Sequence, residues 1–118
     1  MHIFFQTKKI ELERGEQDFM AARIEGLAKF FEPDAHTYVD IEKTRSSHNG
    51  EDLYYIAIHV KEGVVRYFVD GYQENIRKTF DNVYADLYRN IRNDRSKSRE
   101  LLKSARRNIK DFFKRTNR

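Results

Sequence analysis

Cysteine is absent from the 118 residues, and proline occurs only once, at Pro33. Without cysteine the chain has no disulfide framework and no thiolate chemistry. Its apolar runs are far shorter than the roughly 20 residues that a membrane-spanning helix requires. The first residues lack the basic start and long apolar run of a secretory signal. We therefore expect an intracellular, cytoplasmic protein whose preferred partner is not a membrane.

Catalytic and metal-binding motifs are also missing from the sequence. No two of the four histidines lie three or four residues apart, the spacing that would make them neighbours on one helix face: they are His2, His36, His48 and His59. The carboxylate pairs Asp40/Glu42 and Glu51/Asp52 lack an accompanying nucleophile elbow, phosphate-binding glycine loop or zinc-protease motif. We therefore expect no enzyme activity, no metal site, no cofactor and no small-molecule substrate.

Charge is distributed unevenly along the chain. Residues 1–91 contain 12 Lys/Arg and 16 Asp/Glu, a net charge of −4, whereas residues 92–118 contain 11 Lys/Arg and 3 Asp/Glu, a net charge of +8. Such asymmetry indicates that the C-terminal segment contacts nucleic acid or an anionic membrane. The simpler alternative is a terminal helix whose charge only keeps it soluble.

Apolar periodicity predicts the order β-α-β-β-β-α. Alternation or β-rich composition predicts four strands, and a helical period predicts two helices. The strands are expected at 2–6, 38–43, 53–60 and 64–69, and the helices at 16–31 and 75–118. Pro33 should stop the first helix, Gly71 should end the last strand, and Asn75 should cap the second helix.

Two helices that each carry one apolar stripe need a sheet face to cover. The predicted fold class is therefore α+β, a four-stranded sheet with both helices on one face. Its last three strands should form an antiparallel meander. The predicted domain spans 1–95, and a basic amphipathic helical tail spans 96–118.

The long second helix changes character near Ile91. Before this point one apolar stripe recurs at helical spacing, comprising Ile76, Phe80, Val83, Leu87 and Ile91. Residues 92–100 contain no apolar side chain, and a second amphipathic run follows from Leu101 to Phe113. The first half should pack on the core, while the second extends positive charge beyond it.

The basic residues of this helix are the main candidate binding residues. Lys78, Arg89 and Arg92 share the face opposite the apolar stripe. The polar stretch adds Arg95, Lys97 and Arg99, and the tail continues a cationic ridge through Lys103, Arg107 and Lys110. Such a ridge suits phosphate contacts without sequence preference. It could instead lie on a membrane, bind a partner protein or pack as a third helix.

Several segments resemble the ribosome hibernation-promoting factor family, also described as ribosome-associated translation inhibitors. The resemblance spans residues 1 to about 97, and no segment is diagnostic by itself. Its segments are Ile10-Glu11-Leu12, Val39-Asp40-Ile41-Glu42-Lys43, Ala57-Ile58-His59-Val60, Asn75-Ile76-Arg77-Lys78-Thr79-Phe80-Asp81 and Leu87-Tyr88-Arg89-Asn90-Ile91.

The resemblance implies a shape similar to double-stranded-RNA-binding domains. It also implies binding to ribosomal RNA of the small subunit, in the channel used by mRNA and tRNAs, and a steric block of translation that protects idle ribosomes. Arg23, Lys29, Arg89 and Arg92 fall where the family tends to be basic. The chain is similar to a short family member with a basic helical extension, so any ribosome pairing would need other factors.

Two alternatives remain open. The chain could be a general double-stranded-RNA binder, or a protein–protein module that dimerises through its C-terminal helix. Tyr38, Tyr72 and Tyr88 could stack on bases, although packing at the edge of the core is the preferred interpretation for each.

Overall fold

The computed structural model describes residues 1–95, and the predicted tail 96–118 lies outside the described residues. The elements follow the predicted order. They are β1 (His2–Lys8), α1 (Arg14–Glu25), a single 3₁₀ turn (Ala28–Phe30), β2 (His36–Arg45), β3 (Asp52–Glu62), β4 (Val65–Gln73) and α2, which is helical from residue 76 to residue 95.

The four strands form one sheet in the order β1-β2-β3-β4. β1 pairs with β2 in parallel, because α1 carries the chain back across the sheet before β2 begins. β2, β3 and β4 are antiparallel to one another, which confirms the predicted meander. The β3–β4 hairpin turns through Gly63 at φ 57° and Val64, so β3 ends two residues beyond its predicted end at Val60.

Both helices cover the same face of the sheet, as predicted. Alternate residues of β2 and β3 point into this layer, with Val39, Ile41, Ile56, Ile58 and Val60 at 0–1% exposure. Four members of the α2 stripe meet them and are equally buried, namely Phe80, Val83, Leu87 and Ile91, while α1 contributes Met20 and Ile24. The apolar residues that recur at helical and at strand spacing thus pack together in a single core.

The start of α2 is fixed by the predicted cap. The Asn75 side-chain oxygen accepts a hydrogen bond from the backbone N–H of Lys78 at 2.7 Å. One turn later, the buried Thr79 hydroxyl lies 2.7 Å from the carbonyl oxygen of Asn75 and 3.1 Å from that of Tyr54. The contacts with Asn75 close the first turn of α2, and the contact with the Tyr54 carbonyl attaches that turn to β3.

Two predicted boundaries are wrong. α1 ends at Glu25, well before Pro33, because the chain turns at Gly26 and places Leu27 in the core at 0% exposure. β4 continues through Gly71 to Gln73. Gly71 serves packing there, since a Cβ at this position would lie 3.1 Å from the Val83 Cγ2 atom of α2.

We expect Gly71→Val to destabilise the protein by about 1–3 kcal/mol, because its branched side chain would push α2 away from β4. Gly15→Ala is the matched control: it lies in α1 with nothing within 4 Å of a new Cβ. It should stabilise the fold by up to about 1 kcal/mol. Urea denaturation measures both. Equal stability of the valine variant and the parent would contradict the close approach of α2 to β4.

Candidate nucleic-acid interface

An open groove of about 830 Å³ runs between α1 and α2 on the side away from the sheet. We call it the interhelical groove. It contains three arginines, two tyrosines and one carboxylate, and its lining is Arg23, Asp81, Tyr84, Ala85, Tyr88, Arg89, Arg92 and Asn93. The two helices therefore bring cationic and aromatic side chains together from positions up to 70 residues apart.

Arg23 is the contribution of α1 to the groove. Its guanidinium carbon lies 5.5 Å from the centre of the Phe19 ring and 5.8 Å from that of Tyr84. Stacking on rings suits the flat guanidinium and leaves its edge donors available for a phosphate. Within residues 1–95 no carboxylate forms an ion pair with Arg23.

Arg89 and Arg92 come from α2 and lie nearly one turn apart. Arg89 has Asp86 as a partner at 3.6 Å, but its side chain remains 69% exposed, so the pair is screened by water and is easily exchanged for a phosphate. Arg92 is exposed and has no ion-pair partner among the described residues. Both side chains are thus available to an incoming anion.

Tyr84 and Tyr88 form the aromatic wall of the groove. Their ring centres are 6.3 Å apart, and the ring planes are tilted by 27°. Burial raises the pKa of Tyr84, an effect that the positive charge of Arg23 partly offsets. The Tyr84 hydroxyl therefore stays protonated at neutral pH and can donate a hydrogen bond to a phosphate or ribose oxygen.

The other predicted binding residues are placed differently. Lys29 is not part of the groove lining, but its ammonium lies 5.9 Å from the ring centre of Tyr88. Lys78 lies outside the groove, in the first turn of α2, where it pairs with Glu74 at 2.6 Å. Five predicted residues lie outside the described residues: Lys97, Arg99, Lys103, Arg107 and Lys110.

Arg95 is committed to the fold. Its guanidinium bonds the carboxylate of Glu62 at 2.9 Å, and the side chains are only 23% and 17% exposed. The other carboxylate oxygen of Glu62 accepts the backbone N–H of Glu32 at 2.7 Å. Arg95 also lies 4.8 Å from the Phe31 ring centre. These contacts join α2 to the hairpin and to the segment before β2.

The prediction from the sequence did not include the tyrosine wall. The predicted core-edge packing of Tyr88 is confirmed, since Tyr88 and Tyr84 are both partly buried against the core and also line the groove. The signal is nevertheless in the chain, because Tyr84, Tyr88 and Arg92 recur at a spacing of four and so share one helix face. For Tyr38 and Tyr72 core-edge packing is wrong, since both are exposed on the sheet face away from the helices.

Neither metal-binding clusters nor membrane-spanning helices occur in residues 1–95. No three His, Asp or Glu side chains in this range lie close enough to hold a metal ion. None of the helices in this range is both long and apolar enough to cross a bilayer.

Solved structures that are similar to this chain include two bacterial proteins. The N-terminal domain of protein Y from Thermus thermophilus matches with a TM-score of 0.63 at 12% identity, over 77% of this chain and 96% of that one. A ribosomal subunit interface protein from Coxiella burnetii matches with a TM-score of 0.63 at 10% identity, over 81% of this chain and 99% of that one. Neither a protein-family model nor a curated protein sequence matches this chain. At such low identity the likeness shows a shared fold.

We expect Arg95→Met to destabilise the protein by about 2 kcal/mol, because it leaves the Glu62 carboxylate largely buried without its cation. Lys78→Met removes an equally long cation from an exposed pair and should leave stability nearly unchanged. Thermal unfolding of both variants measures the difference. Two equally stable variants would show that Arg95 does not hold the end of α2.

Proposed function

We propose that this protein binds the small ribosomal subunit in the channel used by mRNA and tRNAs. It fills that space and blocks translation without any chemical step, in the cytoplasm, and so protects idle ribosomes. The interhelical groove holds the RNA backbone. The observation that carries the proposal is the convergence of Arg23, Arg89 and Arg92 beside Tyr84 and Tyr88 in this groove.

The chemistry of the groove suits RNA. Guanidinium groups pair with phosphates through two parallel hydrogen bonds, and tyrosine rings can stack on exposed bases. The groove offers three arginines against Asp81 in its lining and Asp86 beside Arg89, so an anionic backbone is favoured locally although residues 1–91 have a net negative charge. Such contacts position a backbone and carry little sequence preference.

The shared fold supports a ribosomal partner over RNA in general. One similar structure is described as a ribosomal subunit interface protein, and its whole length is matched by this chain. The basic segment 92–118, with its net charge of +8, adds further phosphate contacts in this proposal. Lys103, Arg107 and Lys110 are the tail residues expected to make them.

Charge reversal in the groove tests the proposal. Arg23→Glu with Arg92→Glu should raise the dissociation constant for small subunits at least about tenfold, since two phosphate contacts become repulsive. The slope of log affinity against log salt should fall by roughly one to two. Co-sedimentation over a range of salt concentrations measures both quantities.

The matched control is Lys43→Glu with Arg45→Glu, which makes the same change in net charge at the far end of β2. It should retain most of the affinity. Equal losses in both double variants would mean that net charge alone drives binding. Equal affinity of the parent protein for plain RNA duplex and for small subunits would instead favour a general double-stranded-RNA binder.

A further inference from the structure

The sheet has a second face that no helix covers in residues 1–95. Strand pairing arranges its side chains in rows that run across all four strands. The cationic row is His2, His36, Lys61 and Arg66. The aromatic row is Phe4, Tyr38, His59 and Phe68. The acidic row is Gln6, Asp40, Ala57 and Asp70.

The aromatic row is exposed to an unusual degree for large apolar side chains. Phe4, Tyr38 and Phe68 are 48%, 37% and 58% exposed. Phe4 stacks on Tyr38 with ring centres 5.3 Å apart, and His59 meets Phe68 edge to face at 6.0 Å. A contiguous aromatic strip of this kind on a soluble surface marks an interaction site.

We infer that this face pairs two copies of the protein, with their aromatic rows packed against each other around a two-fold axis. The axis runs along the aromatic row, between the two sheets. The packing is that of a β-sandwich, in which two sheets stack about 10 Å apart. The inference is independent of ribosome binding.

Charge complementarity selects this arrangement. A two-fold axis along the aromatic row places the cationic row of each copy over the acidic row of the other. Arg66 of each copy then faces Asp70 of the other, and His36 faces Asp40. An axis parallel to the strands would instead place Arg66 over His2 and Lys61 over His36, and Asp40 and Asp70 over Ala57 and Gln6. Of these two axes, only the one along the aromatic row brings opposite formal charges together.

The same arrangement of charges makes a polyanion an unfavourable partner for this face of the sheet. The rows carry Lys61 and Arg66 against Asp40 and Asp70, so their formal charges cancel when histidine is neutral. Burial, together with the charges of Lys61 and Arg66, lowers the pKa of His59, which keeps its ring uncharged at neutral pH. An uncharged His59 ring on the two-fold axis can pack against the His59 ring of the other copy.

Local contacts hold the charged groups in place. Tyr55 donates a hydrogen bond to the Asp70 carboxylate at 3.0 Å, and the ammonium of Lys61 lies 5.1 Å from the Tyr38 ring centre. Arg66 donates to the backbone carbonyls of Gly63 and Val65 through one of its terminal nitrogens. The remaining donors of its guanidinium can reach the partner carboxylate.

The size of the face sets the expected strength. Four strands about 4.8 Å apart and three rows about 6.7 Å apart give a flat footprint of roughly 400 Å² per copy. The two copies together then bury less than the roughly 1,000 Å² of a stable specific interface, so the dimer should be weak, reversible and dependent on concentration. The interhelical grooves lie on the opposite sides of the two sheets and stay open in this dimer.

A charge swap tests the inference. Sedimentation velocity of the full chain should show the mass rising from 14.2 kDa toward twice that value as concentration increases. Arg66→Asp and Asp70→Arg alone each create two like-charged contacts per dimer and should raise the dissociation constant at least about tenfold. The double variant restores opposite charges and should return to within about threefold of the parent.

Control variants separate this interface from others. Glu25→Arg, an exposed carboxylate at the end of α1, should leave dimerisation unchanged. Phe4→Ser with Phe68→Ser should abolish dimerisation while circular dichroism shows an intact fold. The inference is overturned by a monomer at all concentrations, by single swaps without effect, or by a dimer that Leu102→Glu with Ile109→Glu in the tail disrupts and Arg66→Asp does not. It is equally overturned if the serine variant stays monomeric like the parent but loses binding to a labelled uridine oligonucleotide.

Discussion

The packing of α1 and α2 side by side on one face of the sheet is the constraint on which the other features depend. Each helix has a single apolar stripe, and the inward residues of β2 and β3 form the one surface that buries both stripes. The side-by-side placement creates the interhelical groove, and the one-sided placement leaves the opposite sheet face uncovered. Both surfaces are consequences of how the core is filled.

The close approach of the helices is maintained by small residues and by ends that are held in place. Gly71 lets Val83 lie directly on β4, and α1 ends at Gly26. Asn75 and Thr79 fix the start of α2, while the contact between Arg95 and Glu62 fixes its other end. The groove arginines are therefore presented by a rigid pair of helices.

The fold could be predicted from the sequence because the spacing of apolar residues is unambiguous in the long helices and strands. The stripe from Phe80 to Ile91 and the alternation around Val39 and Ile41 both correspond to buried residues. The end of β4 was misjudged because the role of Gly71 depends on its contact with Val83 of α2, which no local pattern reveals. Whether a glycine ends a helix or a strand, or lets it continue, depends on which side chains of other elements pack against that glycine.

The candidate site was less predictable than the fold for the same physical reason. Spacing along α2 indicated that Arg89 and Arg92 share a face, but it could not show that Arg23 lies across from them. It also could not distinguish Arg92 from Arg95, three residues later, which turns toward Glu62. Which side chains of two different elements meet depends on how those elements are placed relative to each other, and the packing of the core sets that placement.

Photo-crosslinking from the groove tests the central claim most directly. A photoreactive amino acid at Ala85, on the groove floor, should crosslink to RNA of the small subunit when the protein is mixed with purified subunits. The same group at Ser47, in the exposed loop between β2 and β3, should give few crosslinks. Crosslinking to RNA from Ser47 but not from Ala85 would contradict the account.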